Sequence, residues 1–195
     1  MPTAMNRPSR YPDVTSAELV GGPERRALTI VPYDPIWPDQ FQGHRDAIST
    51  ALGQLAVRVE HIGSTSVPGL GAKPIIDVLL TVDDITAEED YLPPLLAAGY
   101  QLRVREPGHR MVRTPSRDTH VHILQDNASE AHDYLVLRDW LRHHEADRVL
   151  YEKVKRSLVD QEWADMNAYA EAKTDVIQAI KVRAAADQAR PLWGS

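Results

Sequence analysis

The chain has no cysteine among its 195 residues and a single phenylalanine. The first absence excludes disulfides, thiolate zinc sites, iron–sulfur clusters and cysteine nucleophiles. Cationic excess is missing too: 22 Lys and Arg stand against 28 Asp and Glu, for a net charge of −6, with a pI near 5.7. Any basic site must therefore be local, and the lack of a basic cluster interleaved with aromatics disfavours nucleic acid as a partner. No apolar run approaches the roughly 20 residues that a membrane span needs. The opening MPTAMNRPSRYPDV lacks the apolar stretch of a secretory signal. The expectation is a cytoplasmic protein with no membrane partner, and 21.9 kDa suits one domain of ordinary size.

Residues 1–26 carry Pro2, Pro8, Pro12, Gly21, Gly22 and Pro23 among polar residues, which predicts a loose tail. Leu28 to Val31 has strand composition and leads through three prolines into a helix at 39–53, with Phe41, Ile48 and Leu52 on one stripe. Strands follow at 56–62 and 74–82. Thr86 offers an N-cap for a helix ending at Gly99, with Pro93-Pro94 delaying its start. Residues 100–104, 109–114 and 120–124 read as short strands, and from Ser129 onward the apolar spacing is helical: Leu137 and Leu141, then Tyr151, Val154 and Leu158, then Met166, Tyr169, Lys173, Val176 and Ile180. The layout is α+β: a mixed sheet with flanking helices and a helical C-terminal region.

The densest signal is EHIGSTSVPGLGAKPIIDVLLTV, residues 60–82. A strand entering Gly63-Ser64 can present backbone N–H groups and a hydroxyl to a phosphate, with Thr65 next in line. It is neither a Walker loop nor a dinucleotide fingerprint. Asp77 stands inside an apolar strand, where a carboxylate costs several kcal/mol unless it is compensated. Three compensations are open: an ion pair with Lys73 or an arginine, a strand end that reaches water, or a bound Mg²⁺ facing a triphosphate. Lys73 could neutralise Asp77 or reach a phosphate. His120 and His122 alternate on one strand and so share a face, where they could bind a metal or a substrate or stand half-exposed.

These residues resemble the GrpB family, a branch of the nucleotidyltransferase superfamily. The resemblance extends to Val31-Pro32-Tyr33-Asp34-Pro35 with Trp37 and Phe41, to Gly99-Tyr100, to His120-Val121-His122, to Leu137-Arg138-Asp139-Trp140-Leu141, and to Tyr151 with Lys155 and Tyr169 with Lys173. It implies a nucleotidyltransferase-like domain at 27–187 between tails at 1–26 and 188–195. By the same resemblance, Gly63 and Ser64 hold nucleotide phosphates, and the 12 residues between Ser64 and Asp77 suit the spacing to a metal-binding aspartate. Where superfamily enzymes place a second carboxylate, two positions on, this chain has Leu79.

Two functions follow. One is Mg²⁺-dependent, or Mn²⁺-dependent, nucleotidyl transfer from a nucleoside triphosphate such as ATP to a small-molecule or protein acceptor. Here Asp77 holds the metal, Gly63, Ser64 and Thr65 the phosphates, Lys73 and Arg138 the developing charge, and His120 or His122 deprotonates the acceptor. The other is a degenerate nucleotide-binding or accessory module linked to dephospho-CoA kinase, which Leu79 favours.

Overall fold

The structure, a computed structural model, describes residues 9–24, 29–159, 161, 163, 168 and 171–188. Its centre is a six-stranded sheet: β1 (Glu18–Leu19), β2 (Arg58–Ile62), β3 (Ile76–Val82), β4 (Gln101–Glu106), β5 (His109–Arg113) and β6 (Thr119–Gln125), in the order β1-β4-β5-β6-β3-β2. All neighbours pair antiparallel except β3 and β6, which run parallel at its heart. The helices are α1 (Trp37–Leu52), α2 (Glu88–Ala97), α3 (Ser129–His143), α4 (Glu145–Val159) and α5 (Thr174–Gln188). The α+β architecture expected from the sequence is present.

Alternation along the strands assigns the two faces. Ile76, Val78, Leu80 and Val82 of β3 join Val121 and Ile123 of β6 in the main core, under Ile48 and Leu52 of α1 and Tyr91, Leu92 and Leu95 of α2. The intervening residues face the opposite way, where Leu79 and Leu124 pack with Ile62 and with Ala131 of α3. A third cluster joins Val67 and Leu70 to Leu141 of α3, Tyr151 of α4 and Ile180 of α5. It ties the C-terminal helices to the loop that follows β2. β3 is buried on both faces, as its nearly continuous apolar run requires.

Three local expectations fail for identifiable reasons. The Thr86 hydroxyl donates to Asp84 Oδ1 at 2.7 Å instead of capping α2, which begins at Glu88 and runs through Pro93 and Pro94 because Tyr91, Leu92 and Leu95 anchor it in the core. Of the strand expected before residue 32, Val31 makes only an isolated bridge to Ala72, and Leu28 lies outside the described residues. Residues 9–24, whose prolines and glycines suggest looseness, are held by charge. Asp13 accepts from the buried Arg110 at 2.5 Å, Glu24 binds Arg113 through both oxygens at 2.8 and 2.9 Å, and Glu18–Leu19 adds an edge strand to β4. Met166, Tyr169 and residues 189–195 lie outside the described residues. Among those described, no helix is long and apolar enough to cross a membrane.

Candidate functional site

β2 ends at Ile62, which pairs with Asp77 on β3. This register puts the next residue, Gly63, directly against the aspartate. Gly63 has φ 69°, in the left-handed region, and a Cβ built on it would lie 3.0 Å from Asp77 Cβ and closer still to Oδ2. Any side chain at 63 would strain the backbone and force Asp77 to shift. A 3₁₀ turn, Ser64–Ser66, follows, closed by the Ser66 hydroxyl donating to Gly63 O at 2.6 Å.

The parallel pairing of β3 with β6 sets Asp77 opposite His120 and Leu79 opposite His122, all on the face away from the main core. Asp77 Oδ1 lies 3.6 Å from His120 Nδ1 and 3.7 Å from His122 Nε2. Burial alone would raise the Asp77 carboxyl, but the two imidazoles that face it outweigh burial and hold the group well below the ordinary carboxylate range. Behind His122 stands a chain that the sequence did not reveal. His109 Nε2 is 3.1 Å from His122 Nδ1, and His109 Nδ1 is 2.6 Å from Glu106 Oε1. The Tyr134 ring of α3 lies 5.6 Å from the His122 ring.

These residues open onto a cavity of about 470 Å³, which Gly63, Ser64, Thr65, Lys73, Asp77, His120, His122 and Arg138 all line. All eight residues singled out from the sequence thus meet at one place. Their engagements differ. Thr65 donates its hydroxyl to Ile75 O at 3.1 Å and meets His61 Nε2 at 3.0 Å, so that side chain braces the turn. Arg138 is bound to Glu60 at 2.8 Å and Asp139 at 2.7 Å, which neutralises much of its charge. Lys155 of α4 donates to Ser64 Oγ at 3.0 Å and to Gly71 O at 2.6 Å. Its burial, with Lys173 nearby, pushes the ammonium down to about 7. Lys173 lines the same cavity; helical spacing alone does not set which way either lysine faces.

Leu79 is fully buried, so the second-carboxylate position is core. One carboxylate and two imidazoles have ligand atoms within 4.8 Å of one another, a donor set that fits a single divalent cation. His109 and Glu106 could have been noticed only as polar residues flanking a turn.

Fold and site together define an α+β protein with an Asp-His-His cluster beside a glycine-serine turn and a lysine-lined cavity. Residues 27–183 match the family model described as GrpB protein, and the chain belongs to the GrpB family. It is 59% identical over 177 residues to a UPF0157 protein of Streptomyces coelicolor, covering 91% of this chain and 95% of that one. The crystal structure of conserved protein GrpB from Enterococcus faecalis is similar with a TM-score of 0.72 at 32% identity, over 83% of this chain and all of that one. A dephospho-CoA kinase of Mycolicibacterium paratuberculosis is 33% identical over 178 residues, which span 76% of this chain but only 44% of the kinase.

Proposed function

We propose that the protein binds a nucleoside triphosphate, ATP being the first candidate, together with a divalent cation, and transfers its nucleotidyl group to a small-molecule or protein acceptor. The observation that carries this reading is the convergence of Asp77, the Gly63–Ser64 turn and Lys155 on one cavity. Ser64 and Lys155 hold the phosphates, with Lys73 and Lys173 supplying positive potential and Arg138, already paired with Glu60 and Asp139, contributing less. A cation at Asp77, Mg²⁺ or Mn²⁺ by the family resemblance, would neutralise charge on the reacting phosphate. His120 and His122 flank that position, where they hold the cation or take the acceptor's proton. The acceptor oxygen bonds to the α-phosphorus as the bond to the β-phosphate oxygen breaks and pyrophosphate leaves. Such displacement is driven by positioning and charge neutralisation, and this reading assigns that work to one carboxylate, the imidazoles and the lysines, an unusual set for such an enzyme.

Leu79 favours a second reading, a nucleotide-binding accessory module. The likeness to part of a dephospho-CoA kinase suggests coenzyme A metabolism as its setting. Calorimetry with a nonhydrolysable ATP analogue and Mg²⁺ or Mn²⁺, followed by pyrophosphate-release assays, tests both. Cation-dependent binding lost in Asp77→Ala, with circular dichroism unchanged, supports nucleotide use, and turnover selects the transferase. Binding without turnover selects the module. No binding of ATP or GTP by the wild type overturns both.

A further inference from the structure

We infer that Asp77, His120 and His122 bind a divalent transition-metal ion of the Mn²⁺, Co²⁺ or Zn²⁺ class in preference to Mg²⁺, without nucleotide, with His109 and Glu106 as positioning residues. The inference deepens the reading above, on which it rests for a cation at Asp77, and assigns both imidazoles to that cation.

Separations of 3.6 and 3.7 Å between Asp77 Oδ1 and the two ring nitrogens are too long for hydrogen bonds. They are close to the edge of a coordination sphere whose bonds are about 2.0–2.2 Å. Mg²⁺ demands oxygen ligands and is held by one or two carboxylates plus substrate phosphates, so at this site Asp77 alone would serve it. Imidazole nitrogen suits transition ions instead, and three protein donors can retain such an ion with no phosphate present.

The chain behind His122 points the same way. With His109 Nδ1–H donating to Glu106 at 2.6 Å, the neutral His109 ring offers Nε2 as an acceptor, so Nδ1–H of His122 is the donor across 3.1 Å. That assignment turns Nε2 of His122 toward the Asp77 carboxylate, 3.7 Å from Oδ1, where both atoms can serve one shared cation. A ligating imidazole whose other nitrogen is fixed by a hydrogen-bonded partner is the usual outer-sphere arrangement of protein metal sites. The His109 and His122 rings lie within 10° of parallel.

The test uses the full-length protein, stripped with a chelator and titrated separately with Co²⁺, Zn²⁺, Mn²⁺ and Mg²⁺, by calorimetry and, for Co²⁺, by visible absorption. One Co²⁺ or Zn²⁺ per chain is expected to bind at least about 100-fold more tightly than Mg²⁺. Asp77→Asn and the pair His120→Ala with His122→Ala abolish the Co²⁺ spectrum. His109→Phe and His109→Gln weaken binding about 10–100-fold and alter the band shape, and Glu106→Gln has a smaller effect in the same direction. Co²⁺ bound no tighter than Mg²⁺, or a spectrum that survives the double histidine variant, overturns the inference. If a nonhydrolysable ATP analogue binds with Mg²⁺ while Co²⁺ fails to bind alone, the metal assignment falls and the nucleotide reading stands. Co²⁺ bound by a protein that takes no nucleotide supports the metal assignment and defeats the nucleotide reading.

Discussion

Gly63 and Asp77 are neighbours across the β2–β3 pair, and the aspartate side chain lies where any larger residue at 63 would place its Cβ. The glycine thus has two functions: it turns the chain through a left-handed conformation and it leaves room for a carboxylate beside the turn. Gly63→Ala is expected to destabilise the protein by about 1–3 kcal/mol more than Gly69→Ala. Gly69 has φ 77°, but a Cβ there would meet nothing within 4 Å, so it carries the backbone penalty alone. Urea unfolding of the two variants measures the difference, and equal losses would show that Asp77 simply moves aside.

Leu79→Asp restores the carboxylate pattern of a two-metal enzyme on paper. The side chain is fully buried against Ile62, Leu124 and Ala131, so an ionised group there has no compensation. The expected result is a loss of about 3–5 kcal/mol in unfolding free energy and no second cation by calorimetry. A stable variant with a gained metal site would contradict this packing argument.

On the proposed function, Lys155 makes nucleotide affinity pH-dependent. Its folded value is pushed down from 10.5 to about 7, by burial first and by Lys173 second. Between these values the unfolded chain binds the extra proton, so stability rises with pH from about 7 to about 10. An anion beside Ser64 favours the charged ammonium, so nucleotide binding at pH 8 takes up a proton and affinity falls as pH rises through 7. Calorimetry in buffers of different ionisation enthalpy measures the uptake, and Lys155→Met abolishes it.

The N-terminal segment contributes through Asp13. Its carboxylate accepts from Arg110 at 2.5 Å and from Gly108 N at 2.6 Å, and Arg110 is almost wholly buried. Asp13→Ala leaves that guanidinium with Glu88 and backbone carbonyls only. A destabilisation of about 1–3 kcal/mol is expected, and an unchanged melting temperature would mean that Glu88 alone satisfies Arg110.

His61 provides an acid-side test. Burial, the largest influence, pushes its imidazole down to about 4, so the unfolded chain gains a proton first as pH falls from 6.5. Stability is lost between about pH 6.5 and 4, and His61→Gln reduces that slope in pH-dependent urea titrations.

Much of this was legible along the chain because it is local. A nearly continuous apolar run marks β3, alternation marks β6, the helical spacing marks α3 and α4, and an acid inside an apolar run announces Asp77 as in need of a partner. The role of Thr65 was not legible, since a hydroxyl beside a phosphate turn reads alike whether it faces a ligand or braces Ile75 O. Nor was the N-terminal segment, whose order comes from arginines about 80 or more residues away.

The amino-acid sequence by itself determined the strand-turn-strand unit, the apolar faces and the identities of Gly63, Ser64, Asp77, His120 and His122. Only the tertiary structure decided that His109 and Glu106 stand behind His122, that Lys155 reaches Ser64, and that Leu79 is core. The reason is that strand register and helix docking join residues distant in sequence, and those contacts are set by packing of the whole sheet and its helices.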